Sequence, residues 1–143
     1  MKNYSDLVKH VLETGKEVSD RTGTGTLQTF GAKLEFDLSK GFPAVTSKKL
    51  AWKAVVSELL WFLKGSANVY DLEEILHGTR GEKWTIWTPN YEKQGKEKGY
   101  HNGYAGRIYG VQWRDFDGVD QINDLIEGIR ENPFSRRHVV SAW

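Results

Sequence analysis

Residues 50–63 form an apolar segment that limits the fold of this chain more than any other feature of its sequence. The segment is too long and too continuously apolar for an ordinary β-strand, so it predicts a largely buried helix. One acid, Glu58, interrupts it. A helix buried on most sides needs a sizeable core around it, and 143 residues suffice for one domain of that kind.

Local spacing predicts three further helices. Apolar residues at intervals of three and four predict one helix over residues 4–12, which Gly15 can end, and another over residues 122–129. Asn68 is typical of a helix N-cap, and Gly78 is typical of the residue that closes a helix. Helices therefore account for much of the chain.

Strand signals are fewer. The period changes over residues 26–38, where Leu34, Phe36 and Leu38 alternate with charged residues, and this predicts a strand with one buried face; residues 136–143 are typical of the start of a second strand. Residues 78–107 are polar, rich in glycine and without a sustained period, which predicts a long irregular loop with a function.

Composition excludes several classes of protein. The formal net charge is +1, which is too balanced for a nucleic-acid coat or a polycation that binds membranes. No apolar run reaches the roughly 18 residues of a membrane span, and the start MKNYSDLVKH lacks the apolar core of a signal peptide. We therefore expect a soluble, cytoplasmic protein with no nucleic-acid or membrane partner.

The sequence contains no cysteine, which excludes disulfides, thiolate metal sites and thiol nucleophiles within these residues. Its four histidines show no metal-ligand spacing, so we expect no metal.

Glu58 is the first candidate for chemistry because its helical neighbours are apolar. Val55, Trp61 and Phe62 lie three or four positions away, on the same face of the predicted helix. A carboxylate there must lose water, which suits a group that exchanges protons near neutral pH. The alternative is a structural acid that pairs with a buried arginine or a backbone amide, and the residues alone leave both open.

Two cationic segments could bind an oxyanion. Residues 21–26 combine Arg21 with three hydroxyls and two glycines, which can wrap a phosphate through backbone amides and side chains. Their spacing does not match a P-loop or a dinucleotide fingerprint, and an ordinary turn is the alternative. Arg136 and Arg137 are neighbours on a predicted strand, so their guanidiniums would point to opposite faces and could serve two partners. Surface salt bridges are the alternative there.

Aromatic side chains are concentrated beside a predicted pocket. Tyr109, Trp84 and Trp87 could stack on a heteroaromatic ligand, although core packing is the commoner role of tryptophan. Lys48 precedes the apolar helix and could bind a polyanionic tail, with a solvated lysine as the alternative.

Six segments follow the order of one known family. They are DRTGTGT, KGFPAVTSKK, ELLWFLKGSANV, TIW, IYGVQWRDF and SRRHVVSAW. The sequence resembles the amino-terminal half of thymidylate synthases of the phage or bacterial type, from about Tyr4 to Trp143. The resemblance implies an α/β (α+β) fold with a large mixed sheet and flanking helices, here truncated. It also implies that residues 1–143 are the amino-terminal portion of a single domain, which pairs with a second copy as an obligate homodimer.

The resemblance implies a methyltransferase of nucleotide biosynthesis. The reaction is the reductive methylation of dUMP at C5, in which 5,10-methylenetetrahydrofolate is the co-substrate and supplies both the one-carbon unit and the hydride. The products are dTMP and dihydrofolate. By resemblance, Arg21 holds the phosphate of dUMP, while Arg136 and Arg137 reach across the dimer interface to the phosphate of the other subunit's nucleotide.

The same resemblance implies roles for four further residues. Glu58 organises water and manages protons at O4 and C5 of the pyrimidine, and Tyr109 assists removal of the C5 proton through water. Trp87 lies beside the folate and its transferring methylene, and Lys48 contacts the folate glutamate tail.

The sequence departs from the family in three places. Thr88 and Pro89 replace the usual Asp-Glu after TIW, which we expect to weaken folate positioning. Arg107 replaces a frequent proline, which we expect to loosen the loop of Tyr109. The family's nucleophilic cysteine, a few residues beyond SAW, is missing. We therefore expect a fragment or first exon that is inactive alone. Two alternatives remain: a non-catalytic partner subunit that lends its phosphate-binding arginines, and a related pyrimidine hydroxymethylase.

Overall fold

The computed structural model of the chain describes residues 2–19 and 23–143. They form two compact units, Met1–Leu50 and Ala51–Trp143. Within the described ranges, no helix is long and apolar enough to cross a membrane.

The first unit begins with α1, Lys2–Thr14. This helix confirms the one that apolar spacing predicts over residues 4–12. The amide of Gly15 donates a hydrogen bond to the carbonyl oxygen of Val11 at 2.8 Å, directly after the last helical residue. The predicted terminator therefore lies at the observed end of the helix.

A two-stranded antiparallel sheet follows α1. It joins β1 (Lys16–Val18) to β2 (Thr26–Gln28), with Glu17 opposite Leu27. The helix α1 packs against β2. The resemblance implies a large mixed sheet, whereas the described residues form this small antiparallel sheet of two strands.

The strand predicted over residues 26–38 is confirmed at β2, Thr26–Gln28, and is wrong for residues 29–38. The segment before Leu38 has no strand pairing, and Leu38–Lys40 is a 3₁₀ turn. The carboxylate of Asp37 starts this turn by accepting hydrogen bonds from the amide of Ser39 at 3.1 Å and from its hydroxyl at 2.6 Å. Alternation indicates which side chains share a face, but a strand also needs a neighbouring backbone, and no described segment pairs with this one.

The second unit is helical, and its central helix confirms the prediction for residues 50–63. This helix, α2 (Trp52–Leu63), packs against α3 (Val69–His77) and α5 (Tyr109–Arg114). Its burial is less than predicted, because these neighbours cover only part of its surface: Trp61 is fully buried, whereas Val55 is 50% exposed. The expectation of a largely buried helix is therefore wrong for the described residues.

Both predicted ends of α3 are confirmed. The side-chain oxygen of Asn68 accepts a hydrogen bond from the amide of Tyr70 at 2.9 Å, as an N-cap does. Gly78 adopts the left-handed conformation (φ 74°) and donates its amide to Glu74. A residue without a Cβ adopts this conformation at low cost.

The predicted helix over residues 122–129 is confirmed by α6, Gln121–Glu131. Its N-cap is Asp120, whose carboxylate accepts a hydrogen bond from the amide of Asn123 at 3.1 Å.

Residues 136–143 do not form the predicted strand. Two glutamine side chains hold the end of this segment in place of a neighbouring strand. The amide group of Gln121 pairs with the backbone N–H and C=O of Ser141 at 2.9 and 2.8 Å, and that of Gln112 pairs with Trp143 at 2.7 and 2.6 Å. A side-chain amide presents the same donor and acceptor as a peptide group, so it can satisfy an extended backbone without a ladder.

The prediction of an irregular loop over residues 78–107 is wrong for its middle part. A short helix, α4 (Thr88–Asn90), leads into a π-helical turn, Tyr91–Gly95. Pro89 lies in the first turn of α4, where its missing N–H costs no helical hydrogen bond.

The core of the second unit consists of four buried hydrophobic residues: Trp61, Val69, Leu72 and Tyr91. Beside it, α5 approaches α2 closely at Gly110, where a Cβ atom would lie 2.7 Å from the Cα of Phe62. Because only glycine permits this approach, the sequence Tyr109-Gly110 places Tyr109 next to Phe62.

Candidate active site

The candidate residues are divided between the two units. Lys48 is exposed in a bend of the first unit, and Arg21 lies outside the described residues. Glu58, Trp87 and Tyr109 belong to the second unit.

A hydrogen bond joins Glu58 to Trp87. The indole Nε1 of Trp87 donates to Oε1 of Glu58 at 2.5 Å, and Glu58 is half-buried on α2. The partner of the acid is thus an indole, rather than the arginine or backbone amide of the structural alternative. A hydrogen bond to a carboxylate is stronger than one between neutral groups and fixes the direction of both side chains.

A tight turn orients Trp87. The amide of Thr85 donates to the hydroxyl of Thr88 at 2.9 Å, and the amide of Trp87 donates to the hydroxyl of Thr85 at 3.3 Å. Thr88, one of the two departures after TIW, therefore helps to hold the turn that carries Trp87.

Three aromatic rings meet edge to face beside Glu58. The Trp87 ring lies 6.0 Å from that of Tyr109 and 5.9 Å from that of Phe62, and Phe62 and Tyr109 are 5.5 Å apart. Edge-to-face contacts at these distances favour a single arrangement. Tyr109 is 50% exposed, so its hydroxyl-bearing ring belongs to the surface of the group. The structure thus brings together Glu58, Trp87 and Tyr109.

An apolar cavity of about 440 Å³ opens beside Glu58. Its lining includes Ala54 and Val55 from α2, Leu72 from α3, and Ile86, the residue before Trp87. The cavity has the volume and the apolar walls of a site for a flat organic ligand, and Glu58 is one of its lining residues.

A second cleft, of about 400 Å³, lies beside Trp87 and Tyr109. Lys98 and Arg107 add positive charge to its lining, and Gln112 adds an amide. Its chemistry therefore suits a polar or anionic group next to an aromatic surface.

Arg107 ties down the loop of Tyr109, contrary to the expectation that it loosens this loop. Its guanidinium donates to the carbonyl oxygen of Asp115 at 2.6 Å, beyond α5. The carbonyl of Arg107 in turn accepts from the side chain of Gln112 at 2.9 Å. These two bonds replace the rigidity that a proline would provide.

Arg136 and Arg137 are exposed, and neither has an ion pair within the part of the chain that the structure describes. The prediction that they occupy opposite faces of a strand is wrong, because this segment is not a strand. No group of three or more His, Cys, Asp or Glu side chains among residues 2–19 and 23–143 could hold a metal ion.

Sequence reasoning missed Glu73. This residue of α3 is 2% exposed, and its carboxylate accepts hydrogen bonds from Thr79 and from three backbone amides. The available signal was an acid four residues after Val69 and one after Leu72, on the face that these residues bury, followed by the flexible loop TRGEK.

Comparison with known proteins agrees with the family resemblance of the six motifs. A family model described as thymidylate synthase matches residues 2–143. The chain belongs to the thymidylate synthase family.

Two phage relatives in this family match the whole chain. The thymidylate synthase of Enterobacteria phage T4 is 58% identical over 143 residues, and the probable thymidylate synthase of Escherichia phage T5 is 54% identical. The chain covers 50% and 51% of these relatives, so it spans about half the length of the curated relatives it matches.

The crystal structure of thymidylate synthase from T4 phage superimposes on this chain with a TM-score of 0.92 and covers all of it, while the chain covers 50% of that structure. This match confirms the truncated α/β thymidylate synthase fold that the six motifs indicated.

Proposed function

We propose that the chain forms the amino-terminal portion, residues 1–143, of a single thymidylate synthase domain. In this proposal the protein is a methyltransferase that converts dUMP to dTMP and uses 5,10-methylenetetrahydrofolate as donor of the methylene group and the hydride. The observation that carries the proposal is the Glu58–Trp87 hydrogen bond beside Tyr109 and an apolar cavity, in a chain of this family.

Glu58 is the proton-handling residue in this mechanism. The indole of Trp87 fixes its Oε1, which leaves its other oxygen for ordered water between the carboxylate and the pyrimidine. Tyr109 presents a half-exposed phenol in contact with Trp87, where its hydroxyl can hydrogen-bond to the water that accepts the C5 proton. The cleft lined by Trp87 and Tyr109 offers an aromatic surface for the folate, with Trp87 beside the transferring methylene.

The anionic groups of both substrates require cations. Arg21, Arg136 and Arg137 hold the phosphate of dUMP, the last two from the second subunit of a homodimer, and Lys48 holds the folate glutamate tail. The exposed, unpaired state of Arg136 and Arg137 in the described residues supports this role, because a guanidinium without an internal partner is available for a phosphate.

The remaining element is the nucleophile. These 143 residues contain no cysteine, so the thiol that adds to C6 of dUMP is supplied by polypeptide outside them. We place the assembled enzyme in the cytoplasm, without nucleic-acid or membrane partners and without a metal.

A chimera tests the proposal. Residues 1–143 replace the matching half of the T4 phage enzyme, and release of the C5 proton of dUMP and formation of dTMP are measured with methylenetetrahydrofolate. We expect turnover by the chimera, none by the 143-residue chain alone, and a loss of at least about 100-fold for Glu58→Gln. The matched control Glu131→Gln, at the exposed end of α6, retains activity. A folded, dimeric chimera that releases no proton would overturn the proposal.

A further inference from the structure

The carboxylate of Glu73 is enclosed by a loop of its own chain. Its Oε1 accepts hydrogen bonds from the hydroxyl of Thr79 at 2.7 Å and from the amides of Glu82 and Lys83, both at 2.9 Å. Its Oε2 accepts the amide of Gly81 at 2.5 Å. The residue is 2% exposed, so these four donors replace its water.

These hydrogen bonds require the charged form of the acid. Burial alone would raise the pKa of Glu73, but the bonds from the Thr79 hydroxyl and from the amides of Glu82, Lys83 and Gly81 lower this pKa to about 2. Three successive backbone amides that converge on one anion form the kind of nest that usually binds a phosphate or another external anion. Here the anion is a side chain of the neighbouring helix.

The same helix also holds the far end of this loop. His77 lies one turn after Glu73 on α3, and its Nε2 donates to the carbonyl oxygen of Trp84 at 3.2 Å. The loop over residues 79–84 is therefore attached to one face of α3 at both ends.

The loop leads directly into the turn that carries Trp87. Thr85 follows it, is 2% exposed, and donates its amide to the hydroxyl of Thr88. Trp87 then reaches Glu58 on α2. A displacement of the loop would be passed to this turn, because the carbonyl of Trp84 is hydrogen-bonded to His77 and Thr85 is both buried and hydrogen-bonded to Thr88.

We propose that Glu73 is a positioning residue: its carboxylate anchors the loop over residues 79–84 and so places the Trp87 indole against Glu58. It touches no substrate in this role. The effect on turnover rests on the proposed function above, whereas the effect on the geometry of Trp87 does not.

Nuclear magnetic resonance of the ¹⁵N-labelled 143-residue chain tests the geometry. The indole signal of Trp87 is assigned by its loss in Trp87→Phe, and that of Trp113 on α5, whose ring packs on Phe62, reports on the fold. In Glu73→Gln we expect the Trp87 indole signal to move and its hydrogen exchange to accelerate about tenfold, as expected when a strong hydrogen bond opens more often. The Trp113 signal stays in place. The control Glu131→Gln removes an exposed acid at the end of α6 and leaves both signals unchanged.

An unchanged Trp87 signal in a folded Glu73→Gln variant would overturn the proposal. If that variant does not fold, Thr79→Val is measured instead, because it removes only one of the four donors to Glu73. A smaller shift of the Trp87 indole signal, with the reference signal unchanged, supports the proposal, and an unchanged Trp87 signal overturns it. In the active chimera, Glu73→Gln lowers kcat and leaves the KM for dUMP within about twofold, as expected for a residue that acts on the reacting geometry. An inactive wild-type chimera would instead refute the proposed function, and the magnetic resonance test of Glu73 would remain valid.

Discussion

The hydrogen bond between Trp87 and Glu58 can be measured by a double-mutant cycle. Trp87→Phe keeps an aromatic ring in the cluster and removes the indole donor, and Glu58→Ala removes the acceptor. If the bond links the two residues energetically, the double variant is less destabilised than the two single variants predict together.

The structure sets the size of this coupling. A hydrogen bond to a charged group contributes about 1.5 to 3 kcal/mol. The N···O distance of 2.5 Å indicates a strong bond, but Glu58 is only half-buried, so water can replace the indole in the Trp87→Phe variant. We therefore expect the lower end, a coupling free energy of about 1.5 kcal/mol.

Urea unfolding followed by circular dichroism supplies the four free energies of unfolding. This signal does not depend on the tryptophan that is replaced. The matched control is the cycle of Trp84→Phe with Glu58→Ala: Trp84 is 61% exposed and lies three residues earlier, so its coupling should stay below about 0.5 kcal/mol. Equal coupling in the two cycles would refute the assignment of a specific bond to Trp87.

Three further predictions concern stability. Leu72→Ala should lower the free energy of unfolding by about 3 kcal/mol and Leu59→Ala by less than about 1, since Leu72 is 1% and Leu59 48% exposed; equal losses in urea unfolding would contradict this. Glu73 stabilises the native chain above its ordinary pKa of 4.5, and this contribution is lost as the pH falls towards its native pKa of about 2. The difference in urea midpoint between the wild-type chain and Glu73→Gln should therefore narrow over that range, and a constant difference would argue against it. Gly78→Ala should lower the free energy of unfolding by about 1 kcal/mol in thermal unfolding. The loss comes from backbone strain at φ 74°, since no atom lies within 4 Å of the added Cβ. An unchanged free energy of unfolding would contradict this reasoning.

The helices of this chain were predictable because their signals are local. Apolar spacing indicated α1, α2 and α6, and the cap residues Asn68 and Gly78 marked both ends of α3. Capping and periodicity act within one or two turns, so they operate before any tertiary contact forms.

Apart from β2, the predicted strands failed for the opposite reason. Residues 34–38 alternate as a strand does, and residues 136–143 are apolar, but neither segment pairs with a strand among the described residues. The second segment shows why sequence is a poor guide here: its backbone partners are the side chains of Gln112 and Gln121, which no strand pattern indicates.

The sequence singled out Glu58, Trp87 and Tyr109 as candidates, and its six motifs correctly identified the family. The sequence did not indicate how these three side chains contact one another. Trp87 lies 29 residues from Glu58 along the chain, and their bond depends on the packing of α2 against α3 and on the turn at Thr85.

By itself, the sequence determined the helices α1, α2 and α6, both ends of α3, and which family the chain resembles, because residue type and spacing act over a few neighbours. Only the tertiary structure decided that an indole holds Glu58, that Arg107 braces the loop of Tyr109, and that Glu73 is charged inside a loop of backbone amides. These outcomes depend on which groups replace lost water, and the replacing groups come from distant parts of the chain.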